Sequence, residues 1–184
     1  MTAAPTQLQS LETELTDAQA RAHRLAEGLT EEQWRFRPDP DRWSIGEQVV
    51  HLNLTTRAYL PLFRQAVEEA RARGLTGHGP FRRDFVGWLL ERMAEPPVRV
   101  KVKTTAPFVP GSLEPKETVL GDFDRLQAEA VAFLPQAAGL AIDKVKITSP
   151  FDARIRYNLY SALRAFTAHE RHHLWLGEQT RARL

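Results

Sequence analysis

The sequence predicts an all-α fold, a four-helix bundle with a long crossover between helices two and three, and three observations carry that prediction. Apolar residues recur at helical spacing in four long stretches. Helix start and stop signals bracket those stretches. Roughly forty residues separate the second stretch from the third, enough for the chain to cross the bundle before the next helix begins. A chain of 184 residues can bury a single sizeable core, so residues 1–184 are expected to form one domain.

The first predicted helix runs from about Gln7 to Glu27, with Leu8, Leu11, Leu15, Ala18, Ala22 and Leu25 on one stripe and Gly28 as its stop. The second opens at Ser44, where Ser44 and Glu47 have the spacing of a capping box, and continues to about Arg73 before Gly74. In the crossover, Gly77 to Pro80 marks a turn and Asp84 to Met93 a short helical piece. The alternating run Val98 to Lys103 reads as an extended wrap over the bundle, because no sheet partner is evident for it. The third helix begins near Pro115 and places Val119, Phe123, Leu126, Ala130 and Phe133 at helical spacing. The fourth spans about Ile155 to Arg181, with Leu159, Leu163, Phe166 and Leu176 on its apolar side.

Composition narrows the chemistry. Hydrophobic residues make up 42% and charged residues 26%, and the apolar runs fall far short of the ~20 residues a membrane-spanning helix needs, so no membrane partner is expected. The amino-terminal Met-Thr-Ala-Ala-Pro-Thr-Gln has no basic start followed by an apolar run, and a cytoplasmic location is expected. With 25 basic and 23 acidic residues interspersed, no clustered basic stripe argues for nucleic acid. There is no cysteine, which excludes disulfides, thiolate metal sites and a cysteine nucleophile, so any metal must take nitrogen and oxygen ligands.

Within that frame the histidines stand out. At 100° per residue, with Leu159 as zero, Leu163 lies at about +40°, Phe166 at about −20°, His173 at about −40° and His169 at about −80°. The same rule puts His172 near −140°, turned away from that face, so it is read as a flanking residue. On the second helix the stripe through Gln48, His51, Leu52, Thr55 and Tyr59 carries His51 toward one edge, where it can reach a neighbouring helix. Two imidazoles one turn apart and a third from another helix supply three neutral nitrogens to one ion and leave coordination positions open. His51, His169 and His173 are therefore the candidate metal ligands. Imidazole ligands suit zinc, with nickel as the alternative. His23, among polar residues, and His78, in a glycine turn, are expected to be solvated.

Glu47, one turn before His51, is the candidate catalytic residue, placed to orient a ligand imidazole or accept a proton. Glu170, beside His169, has the same two options but is expected to be an exposed helix charge. Trp43, Tyr59, Tyr157 and Tyr160 are candidates to line a pocket, although aromatic residues at such positions are commonly core.

The run Trp34 to Leu52, with Trp43-Ser44 opening a helix and His51 eight residues after the tryptophan, followed by Ala168-His169-Glu170-Arg171-His172-His173, resembles the DinB/YfiT-like superfamily. The resemblance covers nearly the whole chain in length and order of elements. It implies a four-helix bundle with a long crossover, a divalent metal on the three histidines, and a homodimer. It also implies S-transfer or isomerisation with a low-molecular-weight thiol, or metal-dependent hydrolysis; the competing reading is a metal-binding stress protein without catalysis. Thiol-transferase members often carry a short polar sequence after the last histidine, whereas here Leu174-Trp175-Leu176 precedes Gly177-Glu178-Gln179. The expected partner is a small-molecule substrate. The expected chemistry is activation of a thiol or water nucleophile at neutral pH, which an ion in a three-nitrogen site makes possible without an internal cysteine.

Overall fold

A computed structural model describes residues 6–97 and 104–184 of the chain. The described residues are mostly helical, with one small antiparallel hairpin. Helix α1 spans Gln7–Ala26, α2 Glu31–Arg35, α3 Ile45–Ala72, α4 Phe85–Ala94, α5 Lys116–Phe133 and α6 Leu159–Arg181. Strands β1, Lys146–Thr148, and β2, Arg156–Asn158, pair with Ile147 opposite Tyr157. The run Val98 to Lys103 lies outside the described residues.

Local chemistry explains the helix boundaries. Thr6, Thr30 and Ser44 each accept a hydrogen bond from the amide three residues on, while Gln9, Gln33 and Glu47 reach back to the capping residue's own amide. After α1 and α3 the chain turns at Gly28 (φ 71°) and Gly74 (φ 63°), left-handed conformations that glycine adopts without a Cβ clash. The sequence reading missed α2, which is too short to show a stripe; its Trp34 is fully buried against Gly46, where a Cβ would lie 2.5 Å from the indole Nε1. It also missed the hairpin and started the last helix too early. Arg156–Asn158 are paired with β1, and Asn158 caps α6 by accepting from the Ser161 amide, so the helix begins at Leu159 rather than Ile155.

Helices α1 and α3 each pack against both α5 and α6, and α4 lies on α6. Two apolar clusters result. One gathers Leu11, Tyr59, Phe63, Phe133, Tyr157 and Phe166 among others; the second includes Trp34, Ile45, Leu52, Phe123 and Leu174. Removing a large aliphatic or aromatic side chain from water stabilises a fold by about 1.5–3 kcal/mol, which makes these layers the main source of stability. Along α3, His51 sits between Val49 and Leu52 of one cluster, with Tyr59 of the other about two turns on; along α6, His169 and His173 fall between Phe166 of one cluster and Leu174 of the other. The histidines thus lie near where the two clusters succeed one another, His169 and His173 at the changeover on α6 and His51 at the edge of one cluster on α3.

Candidate metal centre

The structure brings His51, His169 and His173 together, with one ring nitrogen from each lying within 4.8 Å of the others. The ring centroids are 5.0 Å apart for His51 and His169, 4.3 Å for His51 and His173, and 4.4 Å for His169 and His173. His51 Nε2 lies 3.2 Å from His169 Nε2. The approach follows from helix geometry: His169 and His173 are one turn apart on α6, and α3 packs directly against that helix.

Hydrogen bonds fix the orientation of two of the three rings. His51 Nδ1 donates to the carbonyl of Phe108 at 2.7 Å, and His173 Nδ1 donates to Gln48 Oε1 at 2.7 Å. A carbonyl or amide oxygen can only accept here, so both rings carry their proton on Nδ1 and present a lone pair at Nε2. That pattern, with the outer nitrogen held by a carbonyl and the inner one bare, is how metal-binding histidines are oriented. His169 Nδ1 is buried and has no partner among the described residues. Trp43 covers the group from one side, its ring centroid 4.9 Å from His51 and 6.0 Å from His173, and Phe151 lies 5.6 Å from His169.

Burial keeps the three imidazoles neutral. His51 is 1% exposed and His173 8% exposed. Desolvation pushes His51 down to about 4, against the Phe108 hydrogen bond, which raises it. Burial holds His169 and His173 well below the usual imidazole range; His51 and His172 lower both further, and His169 also lowers His173. At neutral pH all three are uncharged, as a metal ligand must be. Neutral imidazoles brought to one point, two of them oriented with Nε2 bare, suit a divalent cation, so the donor set fits the group that the sequence led us to expect.

The carboxylates are arranged otherwise. Glu47 receives the Arg37 guanidinium on both oxygens and the Ser44 amide at 2.8 Å, so it serves an ion pair and the start of α3 and makes no hydrogen bond to an imidazole. Burial pushes its carboxyl up, and Arg37 and Ser44 overcome that and hold it below its ordinary value. Glu170, expected as an exposed helix charge, is instead 0% exposed. Its Oε1 accepts from Gln127 Nε2, and burial raises its carboxyl to about 8 despite that bond. A signal for this was present: on the wheel that placed His169 and His173, Glu170 falls at about +20°, in the middle of the apolar face.

The other expected residues scatter. Trp43 is at the histidines, whereas the hydroxyls of Tyr59 and Tyr157 bond to each other at 2.7 Å inside the core, and Tyr160 lies beside a separate cavity. His172 is half-buried, its ring 4.7 Å from His173, and stands outside the ligand group. His78 is exposed; His23 is half exposed, with Nε2 bonded to Asp124 at 2.7 Å. Sequence reasoning missed Phe108 and the role of Gln48. Gln48 lies on the same stripe as His51, three residues before it, which is a usable signal. Phe108 comes from a single 3-10 turn, Ala106–Phe108, in the crossover, and nothing in its neighbourhood announces the contact.

The DinB superfamily model matches residues 14–176, which takes in α2 to α5 whole, most of α1, and α6 as far as Leu176. No curated protein and no solved structure matches the chain. With a family match over nearly its whole length and all three clustered histidines within the matched span, the chain belongs to the DinB superfamily.

Proposed function

We propose that this chain is a metal-dependent enzyme acting on a small molecule, with His51, His169 and His173 holding one divalent ion, zinc first and nickel second. The reaction favoured is S-transfer from a low-molecular-weight thiol, with hydrolysis by water as the nearest alternative. The observation that carries the reading is the convergence of three imidazoles, two buried and one half-buried, with two of their outer nitrogens already hydrogen-bonded. A role for the ion as a mere tie between helices would be supported by a carboxylate closing the set. Among the described residues the group contains three histidines and no carboxylate, which favours an open position for substrate.

When bound, a divalent ion supplies Lewis acidity that makes a thiol or water nucleophilic at neutral pH. The chain's own residues do the rest. Phe108 and Gln48 hold the imidazoles so that Nε2 of His51 and His173 face inward, which lowers the reorganisation needed on binding. Trp43 and Phe151 present aromatic surface around the rings, limiting water and offering contact to an apolar portion of a substrate. Glu47 supports the site indirectly by fixing the first turn of α3, from which Gln48 and His51 project.

The wider assembly proposed is a single-domain four-helix bundle over residues 1–184, formed by α1, α3, α5 and α6 with the crossover between α3 and α5, working as a cytoplasmic homodimer. The functional test is a screen of low-molecular-weight thiols against metal-loaded protein by thermal shift, followed by assay of thiol consumption with electrophilic acceptors. Stabilisation by a thiol and turnover that both vanish in His169→Ala support S-transfer. Turnover of esters or amides without any thiol response would move the assignment to hydrolysis.

A further inference from the structure

The first turns of α1, α4 and α6 border a cavity of about 590 Å³ whose wall includes Gln7, Arg82, Phe85, Trp88, Tyr160 and Arg164. None of these belongs to the histidine group. Its charged groups are unequally engaged. Arg164 is paired with Glu14 and Glu91, and Arg83 with Glu91. Asp84 accepts from the Gly87 amide on one oxygen and the Asn158 amide on the other.

Arg82 differs from its neighbours. Its amide donates to Asp143 and its carbonyl accepts from Asn158 Nδ2 at 2.9 Å, so its backbone is fixed, yet its guanidinium has no carboxylate partner among the described residues. Tyr160 is buried against the same cavity; its hydroxyl accepts from Gln7 Nε2 at 2.9 Å, and the hydroxyl proton has no acceptor among the described residues. Two donors are therefore free in one cavity wall. The positive ends of three helix dipoles add to them.

The remaining wall is aromatic and exposed. Phe85 is 73% exposed and Trp88 43%, with ring centroids 6.0 Å apart. Val86, Leu89 and Met93 continue the apolar surface along α4. The helix cannot rotate to bury these side chains, because Gly87 packs on Ser161 so closely that a Cβ there would lie 2.1 Å from the serine Cβ, and Glu91 is clamped by Arg83 and Arg164. A contiguous apolar surface rimmed by unspent donors marks a recognition site.

We propose that this cavity is a second ligand site, one that takes a small aromatic carboxylate. The carboxylate pairs with the Arg82 guanidinium and accepts from the Tyr160 hydroxyl, and the ring lies against Trp88 and Phe85. A planar guanidinium fork matches a carboxylate geometrically, and an aromatic ring gains contact on faces that otherwise meet water. The inference stands apart from the histidine centre and does not depend on it.

The test is isothermal titration of the full chain with 2-naphthoate, alongside neutral 2-naphthylmethanol and inorganic phosphate. Saturable one-to-one binding of naphthoate is expected, and loss of a hydrogen bond to a charged group should make Arg82→Gln and Tyr160→Phe each weaker by about tenfold. Trp88→Ala should weaken it as well, and metal-loaded and chelator-treated protein should bind equally. The proposal is overturned if naphthoate does not bind, if the Arg82 and Tyr160 variants bind it as the parent does, if naphthylmethanol or phosphate binds as well, or if affinity follows metal content. All three positions allow folding to be verified: Arg82 and Trp88 are exposed and Tyr160→Phe keeps the ring.

Discussion

Gln127 Nε2 donates to Glu170 Oε1 in the protein interior, while the remaining oxygens, Gln127 Oε1 and Glu170 Oε2, have no partner among the described residues. A proton on the carboxyl removes the charge that burial penalises and turns one carboxyl oxygen from an acceptor into a donor. The raised carboxyl, at about 8, agrees with a neutral Glu170 at neutral pH.

The pH dependence follows from the sign of that shift. A carboxyl at about 8 in the folded chain against an ordinary 4.5 binds its proton more tightly when folded. Its contribution to stability is full below the lower value, falls as pH rises through the interval, and is gone above the upper one. Denaturation of metal-free protein at pH 6 and pH 9 should show Glu170→Gln gaining on the parent by an amount on the order of 1–3 kcal/mol, since the amide cannot ionise. A constant difference across that range would mean that Glu170 is charged where it lies.

Gln48→Ala removes the acceptor for His173 Nδ1–H without touching a ligand atom. Metal affinity, measured by competition with a chromophoric chelator, is expected to fall by about 10–100-fold, with helix content unchanged. Gln48→Glu, which keeps an acceptor at the same reach, should restore most of it. Equal affinity in all three proteins would remove Gln48 from the site.

His172 and His173 are adjacent, yet one ring is in the histidine cluster and its neighbour is outside it. His172→Ala should keep its metal, and His169→Ala should lose most of its affinity because two nitrogens remain. If His172→Ala proves the more damaging of the adjacent pair, the face of α6 has been misassigned and the ligands are His169 and His172.

These residues also show what the sequence made legible. Capping at Ser44, the stop at Gly74 and the stripe through Leu11, Leu15 and Ala18 marked the long helices because each signal is local and periodic. Helical phase alone separated His173 from His172 and brought His169 to the same face. The same phase pointed to Glu170, but residue type argued the other way, since carboxylates are rarely buried without a partner. The partner, Gln127, is 43 residues away on α5 and carries no mark of the contact. Short elements escaped for a related reason: α2 has five residues and each strand three, fewer than a period needs to show itself. Phe108 is beyond pattern, because its contribution is a backbone carbonyl.

The proposed homodimer is checked by light scattering of the full chain at micromolar concentration. Twice the 20.9 kDa chain mass is expected. A monomer mass would remove the dimer without bearing on the metal centre.

The central claim is tested most directly by anomalous diffraction from crystals of zinc-loaded protein at the zinc edge, with elemental analysis of the same sample. One ion per chain is predicted, bonded at about 2.0–2.1 Å to nitrogens of His51, His169 and His173 and to no protein carboxylate. Full zinc occupancy with the anomalous peak away from these three rings, or no zinc retained at all, would contradict it.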